Sequence, residues 1–398
     1  MKKIMVLGAS LLQLPAILKA KEMGLQVVAV DMDKNAIGFN SADICLEIST
    51  LDIPKVVEYA KLYNVDGIIT IASDMPMRTV AAVAKELNIV GVSEETALKA
   101  TNKAVMRECL EEHSVPIPTF YKVGTFKEYI KVVQQFKDRY IVKPADNSGS
   151  RGVFLINNIE NYEMIEHAFN YSKQHSRSGE IIVEEYLEGP EVSVETISID
   201  GNIHIIAITD KLTTGSPRFV EMGHSQPSCL SNDVKKKIRM VATSAIKAIG
   251  INNGPSHTEI IVTSEGPKIV EVGARLGGDN ITTHLVPLST GVDMVKCCIE
   301  IALGQKPNVE TKYEMSSAIR YFETSEGVIK NIRNVENAEK LKGVKQISFI
   351  KKTGDTIEAI NSSSDRIGFV IAQSSTVANA VQTCECAIDM IQVDLVEY

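Results

Sequence analysis

The sequence predicts a mixed α/β and α+β protein, and three observations along the chain carry that reading. Residues 1 to about 100 alternate short, continuously apolar runs with helical periods: "KIMVLG", "LLQLPAILKAKEMG", "QVVAVD", "DIPKVVEYAKLYN", "DGIITIA", "MRTVAAVAKELN" and "IVGV". Strands that are apolar throughout, separated by amphipathic helices, belong to a parallel sheet covered on both faces, a Rossmann-like domain. From about residue 119 to 200 strands and helices mix, with "YIVKPA", "GVFLI", the helix "NYEMIEHAFNYSKQH", "EIIVEEYL" and "EVSVETISI". The stretch from about 310 is strand-rich and closes with a helix near 376 to 392. The expected domains are therefore 1–105, 106–305 and 306–398.

Composition bounds the function. With 398 residues, 44% hydrophobic and 23% charged, the chain can bury more than one core. A net charge of -8 provides no basic footprint for nucleic acid. No apolar run reaches the roughly 18 residues of a membrane span, and the N-terminus runs straight into a patterned strand, so the cytoplasm is the expected location. The seven cysteines fall into neither a disulfide framework nor a zinc pattern and are expected to be mostly buried small apolar residues. The seven histidines show no metal-ligand spacing.

The elements follow in order. The first strand-to-helix turn, "GASLLQ", supplies Gly8 but not the further glycines of a dinucleotide loop, so Asp31 at the end of the second strand is not expected to serve a dinucleotide ribose. "SEETALKATNKAVMRECLEEH" reads as one helix opening on an N-cap serine. Pro116 and Pro118 then break the chain at a domain entry. Residues 213–230 read as a polar loop, followed by the helix "NDVKKKIRMVATSAIKAIG".

"TEIIVTSEGPKIVEV" reads as a hairpin. If Glu265 is the centre of its turn, Glu259 and Glu271 are equidistant from it and face one another on one side of the sheet, with Cβ atoms about 5 Å apart. Opposed like charges need a neutraliser, and Mg²⁺, a hard cation that prefers carboxylate and phosphate oxygens, is the obvious one. A register slip of one residue would instead send one carboxylate to the other face. Arg275, just beyond the strand, would place a fixed cation where a phosphoryl group or oxyanion develops charge.

Two further stretches fit phosphate and nucleotide. "YIVKPADNSGSRGV" sets Lys143 at the end of an apolar strand before a Ser/Gly loop whose backbone N–H groups can cradle phosphate, although a plain hairpin loop has the same composition. "VEEYLEGPEVSVE" is a strand leading into a linker. It can offer its backbone to an adenine edge and an acid to ribose hydroxyls, or it is simply an exposed acidic linker.

Taken in order, Lys103 in "TNKAVMRE", Lys143, the Ser/Gly loop, the linker and the late acids with arginine in "HTEI" and "EVGAR" resemble the ATP-grasp superfamily, over about residues 1–305. The resemblance implies an ATP-grasp fold with an N-terminal Rossmann-like domain and a strand-rich C-terminal domain. It also implies the site roles. Lys103 and Lys143 contact ATP phosphates, and Ser148, Gly149, Ser150 and Gly152 lie in the loop closing on them. Glu184, Glu185, Tyr186 and Leu187 form the adenine hinge, and Glu191 is the ribose acid. Glu259 and Glu271 hold Mg²⁺, expected as two ions with Mn²⁺ as an alternative, and Arg275 is catalytic. In one departure, Gly273 stands where many members carry an asparagine metal ligand.

The implied activity is ADP-forming C–N ligation through an acylphosphate, with small-molecule carboxylate and amine substrates, in a chain that could pair as a homodimer. "TDKLTTGSPRFVEMGHSQPS" is most similar to the L-amino acid ligase branch. There Arg218, Glu221 and His224 would line the acceptor site with His257 and His284 nearby, and Arg320 is a candidate carboxylate anchor. A phosphoribosylglycinamide synthetase-like ligase, using the loop "GASLLQLP" for the substrate phosphate, and a non-catalytic ATP-binding regulator remain as alternatives. Biotin carboxylase chemistry is disfavoured for want of a biotin-carrier segment.

Overall fold

The computed structural model describes residues 1–396 apart from positions 148, 150 and 217. Strands β1 (Lys3–Leu7), β2 (Gln26–Asp31), β3 (Ile44–Glu47) and β4 (Gly67–Ile69) form a parallel sheet in the order β3-β2-β1-β4. Side chains alternate across a strand, and β1 shows what that does here: Met5 and Leu7 enter one core while Ile4 and Val6 enter another. The expected strand "IVGV" is not one. The third strand is instead "ICLE", which the sequence pattern missed because its outward positions, Cys45 and Glu47, are exposed.

The helix expected over 93–113 is two, Glu94–Lys99 and Lys103–Glu112. Asn102 interrupts it, its side chain accepting from the N–H groups of Ala104 and Val105 as an N-cap. The break sets Lys103 at the first position of the second helix.

An antiparallel sheet of β5 (Phe120–Val123), β6 (Tyr140–Pro144), β7 (Phe154–Ile156) and β8 (Ile181–Glu185) runs β5-β8-β6-β7. Tyr129, Tyr140 and Phe169 bind it to the helices Phe126–Val133 and Tyr162–His175.

The largest sheet has eight strands. It contains β9 (Glu191–Ile199), β10 (Asn202–Thr213), β11 (Glu221–Gln226), β12 (Gly254–Thr263), β13 (Gly266–Gly273), β14 (Ser316–Tyr321), β16 (Val344–Phe349) and β18 (Gly368–Ser374), in the order β13-β12-β9-β10-β11-β14-β18-β16. The remaining strands, β15 (Gly327–Arg333), β17 (Thr356–Ile357) and β19 (Gln392–Val396), form a small separate sheet. One expectation changes here: the polar loop of 213–230 contains β11. Through the β11–β14 pairing the sheet takes in strands on both sides of residue 305. Val192, Val194, Ile208, Ile260, Ile269 and Val272 fill the back of the sheet against Ile238, Ala242, Ala245, Ile246 and Ile249 of the helix Asn232–Ile249. The front is free for polar residues.

The β12–β13 hairpin turns at Ser264 and Glu265, between Thr263 and Gly266, and not with Glu265 at its centre. That register alone would set Glu259 against Val270. One extra residue at Val270 makes a β-bulge, and beyond it Glu259 faces Glu271.

Of the cysteines, Cys109, Cys297, Cys298 and Cys384 are buried as expected, while Cys45, Cys229 and Cys386 are exposed.

Candidate active site

The front of β13-β12-β9-β10-β11 carries Glu271, then His257 and Glu259, then Glu191 and Glu195, then Lys211, then Glu221 and His224. The cross-strand pairs Glu259 with Glu271, His257 with Glu195 and Lys211 with His224 fix this arrangement. A cleft of about 480 Å³ opens over this face, within the usual range for small-ligand sites. Its wall includes the loop after β4, the helix start at Lys103, strands β6 and β8, and the segment after β13.

The opposed carboxylates are neutralised by lysines. Lys103 Nζ lies 2.7 Å from Glu271 Oε1, and Lys211 Nζ lies 3.0 Å from Glu259 Oε1. Lys211 also reaches Glu191 at 2.5 Å and Glu221 at 3.6 Å. Burial disfavours its charge, but the three acids outweigh this and raise its pKa well above the ordinary range. Burial likewise pushes the Glu259 carboxyl up, and Lys211 with His257 brings it well below the ordinary value. His257 Nδ1 donates to Glu195 Oε1 at 2.7 Å. Burial works against its protonation, but Glu195 and Glu259 together push its pKa up to about 9, so it stands beside Glu259 as an imidazolium.

A second charged group lies under the cleft. Glu184, buried on β8, accepts from Arg107 Nε at 2.9 Å and Nη2 at 3.3 Å and pairs with Lys143 on β6 at 2.7 Å. Burial pushes the Glu184 carboxyl up, but the two cations bring it down to about 2. Lys143 moves downward: burial dominates, Glu184 opposes, and Arg107 and Lys103 add to the fall. The difference is physical, because one carboxylate serves two cations and the trio has a net charge of +1. Arg107 is fully buried, yet its Nη1 has no hydrogen-bond partner among the described residues. A buried cation with an unmet donor is suited to an anion.

Lys103, Lys143, Gly149, Glu184, Glu185, Tyr186, Leu187, Glu191, Glu221, His224, His257, Glu259, Glu271 and Arg275 all line the cleft. Ser148 and Ser150 lie outside the described residues. Four expectations are corrected. Gly152 is packed away, since a Cβ there would lie 2.6 Å from His175 Cβ and 2.7 Å from Pro144 Cγ. Arg218 donates to the Ile360 carbonyl at 2.8 Å and is not on the cleft wall. Arg320 lies behind β11, donating to the His224 carbonyl at 3.2 Å, so it is no carboxylate anchor in this cleft. His284, bonded to Thr283, also lies outside the lining.

The hinge and ribose residues are more tied than the sequence implies. Glu185 accepts from the Thr119 N–H and pairs with Lys268, Tyr186 lies under the Arg139 guanidinium, and Glu191 is held by Lys211.

Sequence reasoning missed Asp74, Arg107, Lys211, Asp279 and Ser363, all of which line the cleft. Arg107 carried a usable signal, since it falls four residues after Lys103 on the buried side of the same helix. Asp279 is bound at both oxygens by Arg366, at 2.8 Å each, and touches His224 Nε2 at 3.4 Å. Arg366, Ser363 and Glu221 thereby tie the C-terminal region to the cleft: Ser363 Oγ donates to Glu221 Oε2 at 3.1 Å. No local pattern predicts such a contact.

Two family matches cover most of these elements. Residues 136–283 match the ATP-grasp domain, and residues 320–396 match L-amino acid ligase C-terminal domain 2. The chain is 27% identical over 327 residues to the L-arginine-specific L-amino acid ligase of Bacillus subtilis, across 80% of this chain and 78% of that one. It is 25% identical over 370 residues to the phosphoribosylamine-glycine ligase of Methanococcus vannielii, across 85% and 82%. In fold it superposes on the L-amino acid ligase from Bacillus licheniformis with a TM-score of 0.85 at 21% identity, covering 100% of this chain and 99% of that one. The charged sheet face, the cleft above it and these two matches lead to one conclusion: the chain carries an ATP-grasp domain and an L-amino acid ligase C-terminal domain, and is similar to L-amino acid ligases and to phosphoribosylamine-glycine ligases.

Proposed function

We propose that the protein joins an amino acid carboxylate to the amine of a second amino acid, forming ADP and phosphate. The observation that carries this reading is the placement of Arg275 and the opposed Glu259 and Glu271 in one cleft with Lys103, Lys143 and Arg107. Lys143 and Arg107, with their surplus positive charge and unmet donor, would take the ATP phosphates together with Lys103. The chain from Glu184 to Leu187 would present its backbone to adenine, and Glu191 would accept from ribose.

The two carboxylates suit Mg²⁺, whose shell of hard oxygens would be completed by phosphate and water. Bound there, the ion would screen the phosphoryl oxygens. Among the described residues no group of three or more His, Cys, Asp or Glu could hold a metal ion alone, which fits an ion shared with the nucleotide.

A substrate carboxylate oxygen would bond to the γ-phosphorus as the bridging oxygen leaves with ADP. The amine nitrogen would then bond to the acyl carbon, expelling phosphate and losing one proton. Arg275 would balance charge on the transferred group, and binding both substrates in the cleft supplies proximity. Glu221 and His224, at the end away from Lys143, would receive the amine substrate.

The loop after β1 favours a substrate without phosphate. The Ala9 N–H, a natural phosphate donor at that turn, already donates to Asp31 Oδ2 at 2.7 Å, and the residue that the loop turns to the cleft is Leu12. The test is ADP release with Mg²⁺ against pools of amino acids and, separately, phosphoribosylamine plus glycine. Release with amino acids alone is expected. Release only with phosphoribosylamine would overturn the substrate assignment, and ATP binding with no release from any pool would overturn the ligase reading.

A further inference from the structure

Gly273 has no backbone reason to be glycine, since its φ lies outside the left-handed region. Space is the reason: a Cβ there would lie 2.7 Å from Asp74 Oδ1 and 3.3 Å from the Arg275 Cζ. Asp74 comes from the loop after β4, in the N-terminal sheet, and binds Arg275 along one edge, with Nε to Oδ1 at 2.7 Å and Nη2 to Oδ2 at 3.0 Å. The two side chains are only 9% and 12% exposed, so solvent does little to weaken the pair.

The backbone on each side is fastened to the other. Ile71 pairs in parallel with Leu276, the Ala72 N–H donates to the Leu276 carbonyl at 3.0 Å, and Gln13 Nε2 holds the Ile71 carbonyl at 2.8 Å. Ala72 takes a left-handed φ of 57°, a strain that the surrounding contacts must hold. Both partners of the ion pair are therefore set by one patch of hydrogen bonds. Arg275 also donates from Nη1 to the Leu276 carbonyl at 3.3 Å, which leaves two of its five N–H donors without an acceptor among the described residues.

We propose that Asp74 is a positioning residue: it reaches from the N-terminal sheet through the space left by Gly273 and aims the remaining Arg275 donors at the transferring phosphoryl group. The proposal rests on the ligase reading for what Arg275 meets, but the aiming itself is a property of the chain. A bidentate carboxylate fixes the plane of a guanidinium, so that it need not reorganise as charge develops. An ion pair that merely fastened two domains would need neither the empty Cβ position nor any link to turnover.

The test uses the full chain and the substrate pair found by ADP release. Asp74→Asn, which keeps the shape and removes the charge, should lower kcat about tenfold or more while the affinity for ATP and Mg²⁺ stays within several-fold. In an Arg275→Ala background the same change should alter kcat by less than about twofold, the non-additivity of a coupled pair. Gly273→Ala should reproduce the loss, and adding it to Asp74→Ala should cost nothing more. Additive losses, or a kcat for Asp74→Asn within twofold of the parent, overturn the proposal. Amide hydrogen exchange over residues 274–278 gives a readout independent of turnover: it should quicken in both Asp74→Asn and Gly273→Ala, and unchanged exchange also overturns the proposal. If the parent protein releases no ADP with any pool, the ligase reading fails while the exchange result still decides the role of Asp74.

Discussion

Replacing Glu184 with glutamine removes the one counter-charge shared by two buried cations. Its carboxyl falls from an ordinary 4.5 to about 2 in the folded chain, because Arg107 and Lys143 outweigh the cost of burial. At about 1.4 kcal/mol per tenfold change in proton affinity, that fall is worth roughly 3 kcal/mol of folding stability, and side chains that are 0 to 7% exposed leave little solvent screening to discount. Glu184 belongs to the depressed class, so its contribution is fully present above pH 4.5 and is lost as pH falls through about 2. Urea unfolding followed by circular dichroism, on the parent and Glu184→Gln at pH 7 and pH 3, checks both size and sign. The expected gap is about 3 kcal/mol at pH 7, on the scale of a broken buried pair, shrinking to roughly half at pH 3. A gap of the same size at both pH values would refute the reasoning, since the loss would then come from packing and not from charge.

The other predictions concern the site. Arg275→Ala should leave the affinity for ATP within several-fold and reduce turnover about 100-fold or more, as measured by calorimetry and ADP release; normal turnover would remove Arg275 from the mechanism. Glu271→Gln should shift the Mg²⁺ titration of ADP release to higher concentration, and an unchanged titration would count against the carboxylate pair. Because the Lys143 ammonium is disfavoured until an anion joins it, ATP affinity should weaken as pH rises, before the ordinary lysine range near 10.5 is reached. In Lys143→Met this alkaline loss should be gone.

What could be read from the sequence was local and periodic. Continuous apolar runs marked the parallel strands, and the Ser-Glu-Gly turn marked the β12–β13 hairpin. A lysine at a strand end, an acid on each side of that turn and an arginine beyond it were enough to find one wall of the cleft. Elements with exposed or polar positions were harder: β3 and β11 were missed because edge contacts and site residues interrupt their patterns.

The sequence by itself determined the likeness to ATP-grasp proteins, the lysines and linker residues of one cleft wall and the two acidic positions, because hydrophobic period and turn chemistry act between neighbours. Tertiary structure decided the rest. The bulge at Val270, and not the centre of the turn, brings Glu259 to face Glu271. Lys103 and Lys211 neutralise the two carboxylates, which the sequence reading had left to Mg²⁺ alone. Asp74 meets Arg275 from 201 residues away. Charge pairs of this kind form wherever folding brings opposite charges into a space with little water, and nothing in their local sequence records the partner. Gly273 is the clearest case: along the chain it reads only as a position without a side chain, and the carboxylate of Asp74 explains why it has none.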